Sequence, residues 1–163
     1  MTITEKTTIR PYSEKDELDC LLAFRSNVPQ YFTEEEVLDF QTFLKNDIQT
    51  SSNDSSKGIC QYFVILFHQK IVGCGGFSDR YNNQNITLTW GLIHKDFHKM
   101  GLGKALLLYR LNEIKRIFPG LPVSIDTTQF SYPFFEKFGF NTTKITLDYY
   151  TKGLDRYDMV HPA

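Results

Sequence analysis

The chain of 163 residues has almost no net charge: 18 lysine and arginine residues stand against 19 aspartate and glutamate, a formal charge of −1. Without a basic surplus there is no global field to gather polyanions, which removes nucleic acid as a bulk partner. Long apolar runs are also missing. The longest of note, Tyr62 to Phe67, has six residues, whereas a bilayer span needs roughly 18 or more, so no membrane-spanning segment is expected. Met1 to Arg10 is polar and lacks the apolar centre of a secretory signal. Cysteine is scarce and odd in number, with Cys20, Cys60 and Cys74 widely spaced. That excludes a disulfide framework and suits a reduced, cytoplasmic setting. No Cys-x-x-Cys occurs, and His68, His94, His98 and His161 form no recognisable ligand set, so no metal is expected.

What the chain does have is aromatic surface: 14 Phe, 9 Tyr and 1 Trp. That is enough apolar area to offset chain entropy and to exclude wholesale disorder. A single compact domain over residues 1–163 is the expectation at this length. A first strand is predicted at Thr7 to Pro11. A helix follows, started by Ser13 with Asp16 three residues on and faced by Leu18, Leu21 and Leu22. Thr33 with Glu36 repeats the start signal for a helix to Lys45, with Val37, Phe40 and Leu44 inward and Glu34, Glu35 and Asp39 outward. Gln49 to Gly58, rich in Ser, Asn and Asp, is predicted to be an exposed loop, and Tyr81 to Gln84 a turn. Gly58 to His68 and Lys70 to Phe77 form a predicted hairpin. Asn85 to Ile93 alternates Ile86, Leu88, Trp90 and Leu92 against Thr87, Thr89 and Gly91. A helix from Gly101 to Phe118 shows Leu107, Leu111, Ile114 and Phe118 at helical spacing and is stopped by Pro119 and Gly120. A strand at Val123 to Thr127, a short helix at Tyr132 to Phe138 ended by Gly139, and strands at Lys144 to Tyr150 and Arg156 to His161 complete the reading.

Between the fourth strand and the long helix runs His94-Lys95-Asp96-Phe97-His98-Lys99-Met100-Gly101-Leu102-Gly103-Lys104. A strand-to-helix junction exposes unpaired N–H groups, and the helix dipole adds roughly half a positive charge there. Glycines at 101 and 103 clear side chains from an approaching phosphate, and Lys99 and Lys104 add charge. A dinucleotide fingerprint would need Gly or Ala where Leu106 stands, and a P-loop would need Ser or Thr at Ala105. Neither fits. The segment resembles the acyl-CoA pyrophosphate loop of the GNAT superfamily of N-acetyltransferases, Arg/Gln-x-x-Gly-x-Gly/Ala, with His98 in the first position and Gly101 and Gly103 in the others.

The resemblance extends along the chain. Ile9-Arg10-Pro11-Tyr12 looks like the family's opening, and Ile71-Val72-Gly73-Cys74-Gly75-Gly76-Phe77 like its third strand. Phe134-Phe135-Glu136-Lys137-Phe138-Gly139-Phe140 is similar to its Leu-Tyr-Glu-Lys-Leu-Gly-Phe segment. Tyr149-Tyr150 and Leu154-Asp155-Arg156-Tyr157-Asp158-Met159 resemble its closing hairpin.

This implies an α/β (α+β) fold: a mixed, mostly antiparallel sheet of about six or seven strands, splayed between the fourth and fifth and flanked by about four helices. It also implies acetyl-CoA as co-substrate, with its pantetheine arm against Leu92, Ile93 and His94 and its pyrophosphate on the N–H groups of Lys99, Met100, Gly101, Leu102, Gly103 and Lys104. The N–H near Leu92 would face the oxyanion. The reaction would be acetyl transfer to a small-molecule or peptide amine by direct attack, and a homodimer is left open. The family's thiolate-protonating tyrosine falls at Phe135. Tyr132 or Ser131 stands in for it, or the thiolate leaves unassisted. Asp126 is the candidate base or amine-binding group, or else a strand-end carboxylate bonded to backbone. Thr89 and one of Tyr149 and Tyr150, here Tyr150, are candidate acceptor contacts, and Thr87 and Thr89 together are candidates to hold a water. A non-catalytic acyl-CoA-binding or sensing module is the alternative.

Overall fold

The computed structural model describes residues 6–48, 58–79 and 85–162. The predicted turn at Tyr81 to Gln84 and nearly all of the loop from Gln49 lie outside the described residues. The elements run β1 (Thr7–Pro11), α1 (Glu17–Arg25), α2 (Glu34–Asn46), β2 (Cys60–Phe67), β3 (Lys70–Ser78), β4 (Ile86–Ile93), α3 (Leu102–Ile117), β5 (Val123–Thr127), α4 (Tyr132–Glu136), β6 (Asn141–Thr151) and β7 (Leu154–His161). Short 3₁₀ turns at Glu14–Asp16 and Lys95–Phe97 precede α1 and α3.

One seven-stranded sheet has the order β1-β2-β3-β4-β5-β7-β6. Every neighbouring pair is antiparallel except β4 and β5, which are parallel and paired only at Ile86 with Val123 and Thr87 with Ser124. Beyond those residues the two strands part, as the resemblance implied. α1 and α2 bury Cys20, Phe24, Val37, Phe40 and Phe43 on one face of the sheet. α3 buries Leu102, Leu106, Leu107 and Ile114 on the other.

Both predicted helix starts form. Asp16 accepts from the Ser13 N–H at 2.9 Å, and Glu36 accepts from the Thr33 N–H at 3.0 Å. The face of α1 differs from the expected leucine stripe: Leu18 and Leu22 are 68% and 52% exposed, and Cys20, Ala23 and Phe24 are buried. With buried Asn27 these keep a three-and-four spacing, so the true stripe was masked by its small and polar members. β4 is the second departure. Three steps of β4, from Thr89 to Leu92, oppose two of β3, from Gly76 to Cys74, and Trp90 adopts φ +40°. This bulge breaks the alternation. Ile86 and Leu88 face α3, whereas Trp90 and Leu92 face α1 and α2.

Candidate active site

Where β4 and β5 separate, a cleft of 1010 Å³ opens between the start of α3, the ends of β4 and β5, α4 and the β6–β7 hairpin. Of the residues singled out in the sequence, Thr87, Thr89, Leu92, Ile93, His98, Lys99, Gly101, Gly103, Lys104, Asp126, Ser131, Phe135, Tyr149 and Tyr150 line it. His94, Met100, Leu102 and Tyr132 stand outside the lining.

One end of the cleft is built by the turn into α3. Lys99 and Gly101 both take left-handed backbone, φ +62° and +81°, a conformation that glycine adopts freely and lysine only with strain. The first helical bond is the Ala105 N–H to the Gly101 carbonyl at 3.1 Å, and no side chain caps the helix. The N–H groups before Ala105 therefore open outward. A Cβ on Gly103 would meet only Phe134 and Ile93, at 3.8 and 3.9 Å. The protein itself would tolerate a side chain there.

Main-chain groups of β4 divide by the phase of the strand. The His94 N–H donates to the Val72 carbonyl at 2.7 Å. Leu92, opposite Cys74 in the same phase, likewise turns its N–H toward β3. The cleft-side groups thus belong to Gly91 and Ile93, not to Leu92 and His94 as expected. The Ile93 carbonyl is already occupied: Asn27 Nδ2 donates to it at 2.9 Å and His98 Nε2 lies 2.8 Å away. His98 is therefore a brace across its own loop, stacked edge-on against Tyr31 at 5.5 Å.

The end beside β5 and the β6–β7 hairpin is polar and aromatic. The Tyr150 hydroxyl donates to Asp126 Oδ2 at 2.6 Å, and Arg156 Nη2 lies 4.0 Å from Asp126 Oδ1 and 3.0 Å from Asp158. Asp126 is bonded to a side chain, not to the backbone. Burial pushes the Tyr150 phenol well above its ordinary range, and the neighbouring Asp126 adds to the shift, so the phenol stays a proton donor to the carboxylate. Burial also raises the Glu36 carboxyl, against the lowering effect of its bonds to Thr33. Thr89 Oγ1 is buried in this wall without a partner. Tyr132, the candidate acid, stacks on Tyr157 with centroids 4.3 Å apart and planes 6° from parallel. It packs with the core below and does not face the cleft.

Residues 28–161 match the family model of the acetyltransferase (GNAT) domain. The chain belongs to the GNAT acetyltransferase family. Solved structures agree with that fold. A GCN5-related N-acetyltransferase from Kribbella flavida superposes with a TM-score of 0.78 at 12% identity, covering 98% of this chain and 99% of that one. The ribosomal-protein-S18-alanine N-acetyltransferase from Escherichia coli gives 0.72 at 19%, covering 96% and 93%. A Bacillus anthracis acetyltransferase solved in complex with acetyl coenzyme A gives 0.55 at 16%, covering 64% and 62%. No curated protein matches the sequence.

In this GNAT chain, no helix among the described residues is long and apolar enough to cross a membrane. The described residues hold no cluster of three metal-ligating side chains. Several cleft residues were not singled out in the sequence, and a buried charge is among them. Arg110, on the inward stripe of α3, is 3% exposed and lines the cleft. Its charge argued for an outward position, and only the glycines of β3 and β4 opposite it, Gly75 and Gly91, hinted at space for it.

Proposed function

We propose that this chain, a single domain over residues 1–163, transfers an acetyl group from acetyl-CoA to a primary amine, small molecule or peptide, by direct attack in a ternary complex. One observation carries the reading: the uncapped N–H groups at the start of α3 open onto the cleft where β4 and β5 part. Residues from Lys99 to Lys104 are suited to a diphosphate, with main-chain N–H groups aimed outward and two lysine charges beside them. The cleft-side main-chain groups of Gly91 and the Ile93 N–H offer a pantetheine arm the pairing that β5 no longer gives. Holding an amine against the thioester supplies much of the rate. Asp126, pinned by Tyr150, is the group to hold or deprotonate that amine, and Thr89 offers a hydroxyl with no other partner. A non-catalytic acyl-CoA sensor is the second reading, and it is favoured by Phe135, which has no proton to give.

Calorimetry with acetyl-CoA tests the site. Gly103→Val should fold normally and weaken binding about tenfold, the equivalent of one lost bond to a phosphate. Undiminished binding would sink the loop assignment. Thiol release across a panel of amines separates the two readings, because a sensor binds CoA and turns over none of them.

A further inference from the structure

A guanidinium has five N–H donors and a charge it cannot shed near neutral pH. Arg110 makes one long hydrogen bond, Nη1 to the Gly76 carbonyl at 3.4 Å, and its Nε has no partner. Among the described residues no carboxylate lies within ion-pair distance of it. Burial holds the neighbouring Tyr62 phenol well above its ordinary range, so it offers no negative charge, and burial lowers the guanidinium only to about 10, so it remains a cation. Burying an uncompensated charge is among the costliest arrangements a fold can hold. The backbone nevertheless makes room for it. A Cβ on Gly91 would come within 2.8 Å of Nη2 and 2.9 Å of Nη1, and one on Gly75 within 3.2 Å of Nη1.

The position narrows the anion. Arg110 lies eight residues into α3, about 12 Å along the axis from the N–H groups at its start, and its guanidinium rests on Gly75, Gly76 and Gly91 and not on the turn at Lys99 to Lys104. It approaches from the α3 face, whereas the acceptor-side carboxylates Glu36 and Asp126 interact with one another on the α2 side. Its guanidinium rests against Gly91, at the bulge end of the cleft-side edge of β4. On the function proposed above, that is where the arm ends in sulfur.

We propose that Arg110 receives the negative charge of the departing CoA thiolate, doing by ion pairing what Phe135 cannot do by proton donation. The amine lone pair forms the new C–N bond, the C–S bond breaks, and its electron pair goes to sulfur beside the guanidinium. The proton lost by nitrogen passes to water at Asp126, and the thiolate takes a proton from solvent on release. No oxidant or further reactant is needed.

The inference rests on CoA binding in this cleft, and the test separates the two. The probe is free CoA bound to the wild-type protein, with its thiol titrated by the pH dependence of alkylation. Cys20, Cys60 and Cys74 are buried and do not compete. The bound thiol should titrate about one unit or more below the thiol of free CoA measured in the same way. Arg110→Met should return it to that value or above while leaving acetyl-CoA affinity within about threefold, because a thioester carries no charge for the guanidinium to meet. The same variant should keep or raise Tm, which a structural arginine would not. Arg110→Lys should preserve part of the shift. A bound thiol that titrates like free CoA in the wild type overturns the proposal, and so does a shift that survives in Arg110→Met. If Arg110→Met fails to fold, the wild-type titration and Arg110→Lys decide. Failure of the wild type to bind CoA at all removes the function proposed above, and is seen at the binding step before any thiol is titrated.

Discussion

Asp126 has its two oxygens in different company. Oδ2 accepts from the Tyr150 hydroxyl at 2.6 Å, and Oδ1 faces Arg156 at 4.0 Å. Both contacts fix the direction of the carboxylate toward the cleft, where a base or an ammonium ligand would need it. Asp126→Asn is therefore expected to lower turnover by about 10²–10⁴-fold at neutral pH, the usual worth of a positioned base. The acetyl-CoA Kd should not change. Tyr150→Phe should raise the KM for the amine with a smaller effect on kcat. Steady-state rates across an amine panel, with calorimetry for acetyl-CoA, check both, and full turnover in Asp126→Asn would leave the carboxylate without a role in proton transfer. Each of these residues was legible singly in the sequence, Asp126 from its strand and Tyr150 from the tyrosine pair. Their bond was not, because it joins β5 to β6 across the intervening β7. Arg110 was invisible for the opposite reason: a charged residue on an amphipathic helix is ordinarily a surface residue, and only a paired space in the sheet makes it otherwise.

At the level of elements, the start of α1 is held by one charge pair. Arg10 Nη1 and Nη2 donate to the Asp16 carboxylate at 2.7 and 2.9 Å, and Asp16 also closes the capping box on Ser13. The Arg10 hydrogen bonds hold the Asp16 carboxyl below its ordinary value, with the Ser13 N–H contributing. A carboxyl whose value is depressed in the folded state stabilises fully above its unfolded value of ~3.9 and loses that contribution as pH falls through the folded value. Melting temperatures of the wild type should therefore drop on acidification below about pH 4, and Asp16→Asn, already less stable at neutral pH, should drop less steeply over that window. Equal slopes would remove the pair as a source of acid sensitivity. The cap was readable because capping is local, a matter of residues three apart. The buried face of α1 and the bulge in β4 were not. Which side of a helix turns inward, and where a strand gains a residue, depend on partners distant in sequence: Phe24 stacks on Phe40 at 4.7 Å, and the extra residue near Trp90 is defined only against β3.

The whole molecule is a sheet left partly unzipped. β4 and β5 meet at two residue pairs and then diverge, which leaves main-chain groups, the mouth of α3 and a buried cation along one wedge. A ligand that satisfies them binds the folded state alone and must stabilise it. Saturation with acetyl-CoA at about 100 times its Kd should contribute ~2.7 kcal/mol and raise Tm by roughly 5–10 °C for a chain of this size. Differential scanning calorimetry measures the shift, and an unmoved Tm at concentrations shown by calorimetry to saturate would mean that the wedge is satisfied without the ligand.

What the sequence determined by itself was local: the helix starts, the strands of the hairpins, and the glycine turn before α3, each coded by neighbours within a few residues. It also carried the family, through ordered motifs spread from Ile9 to Met159. Only the tertiary structure decided which amides of β4 face the cleft, why Tyr132 is not among the cleft residues, and that Arg110 is buried there. Those outcomes follow from strand phase and from the meeting of faces, and neither is a property of any single segment of chain.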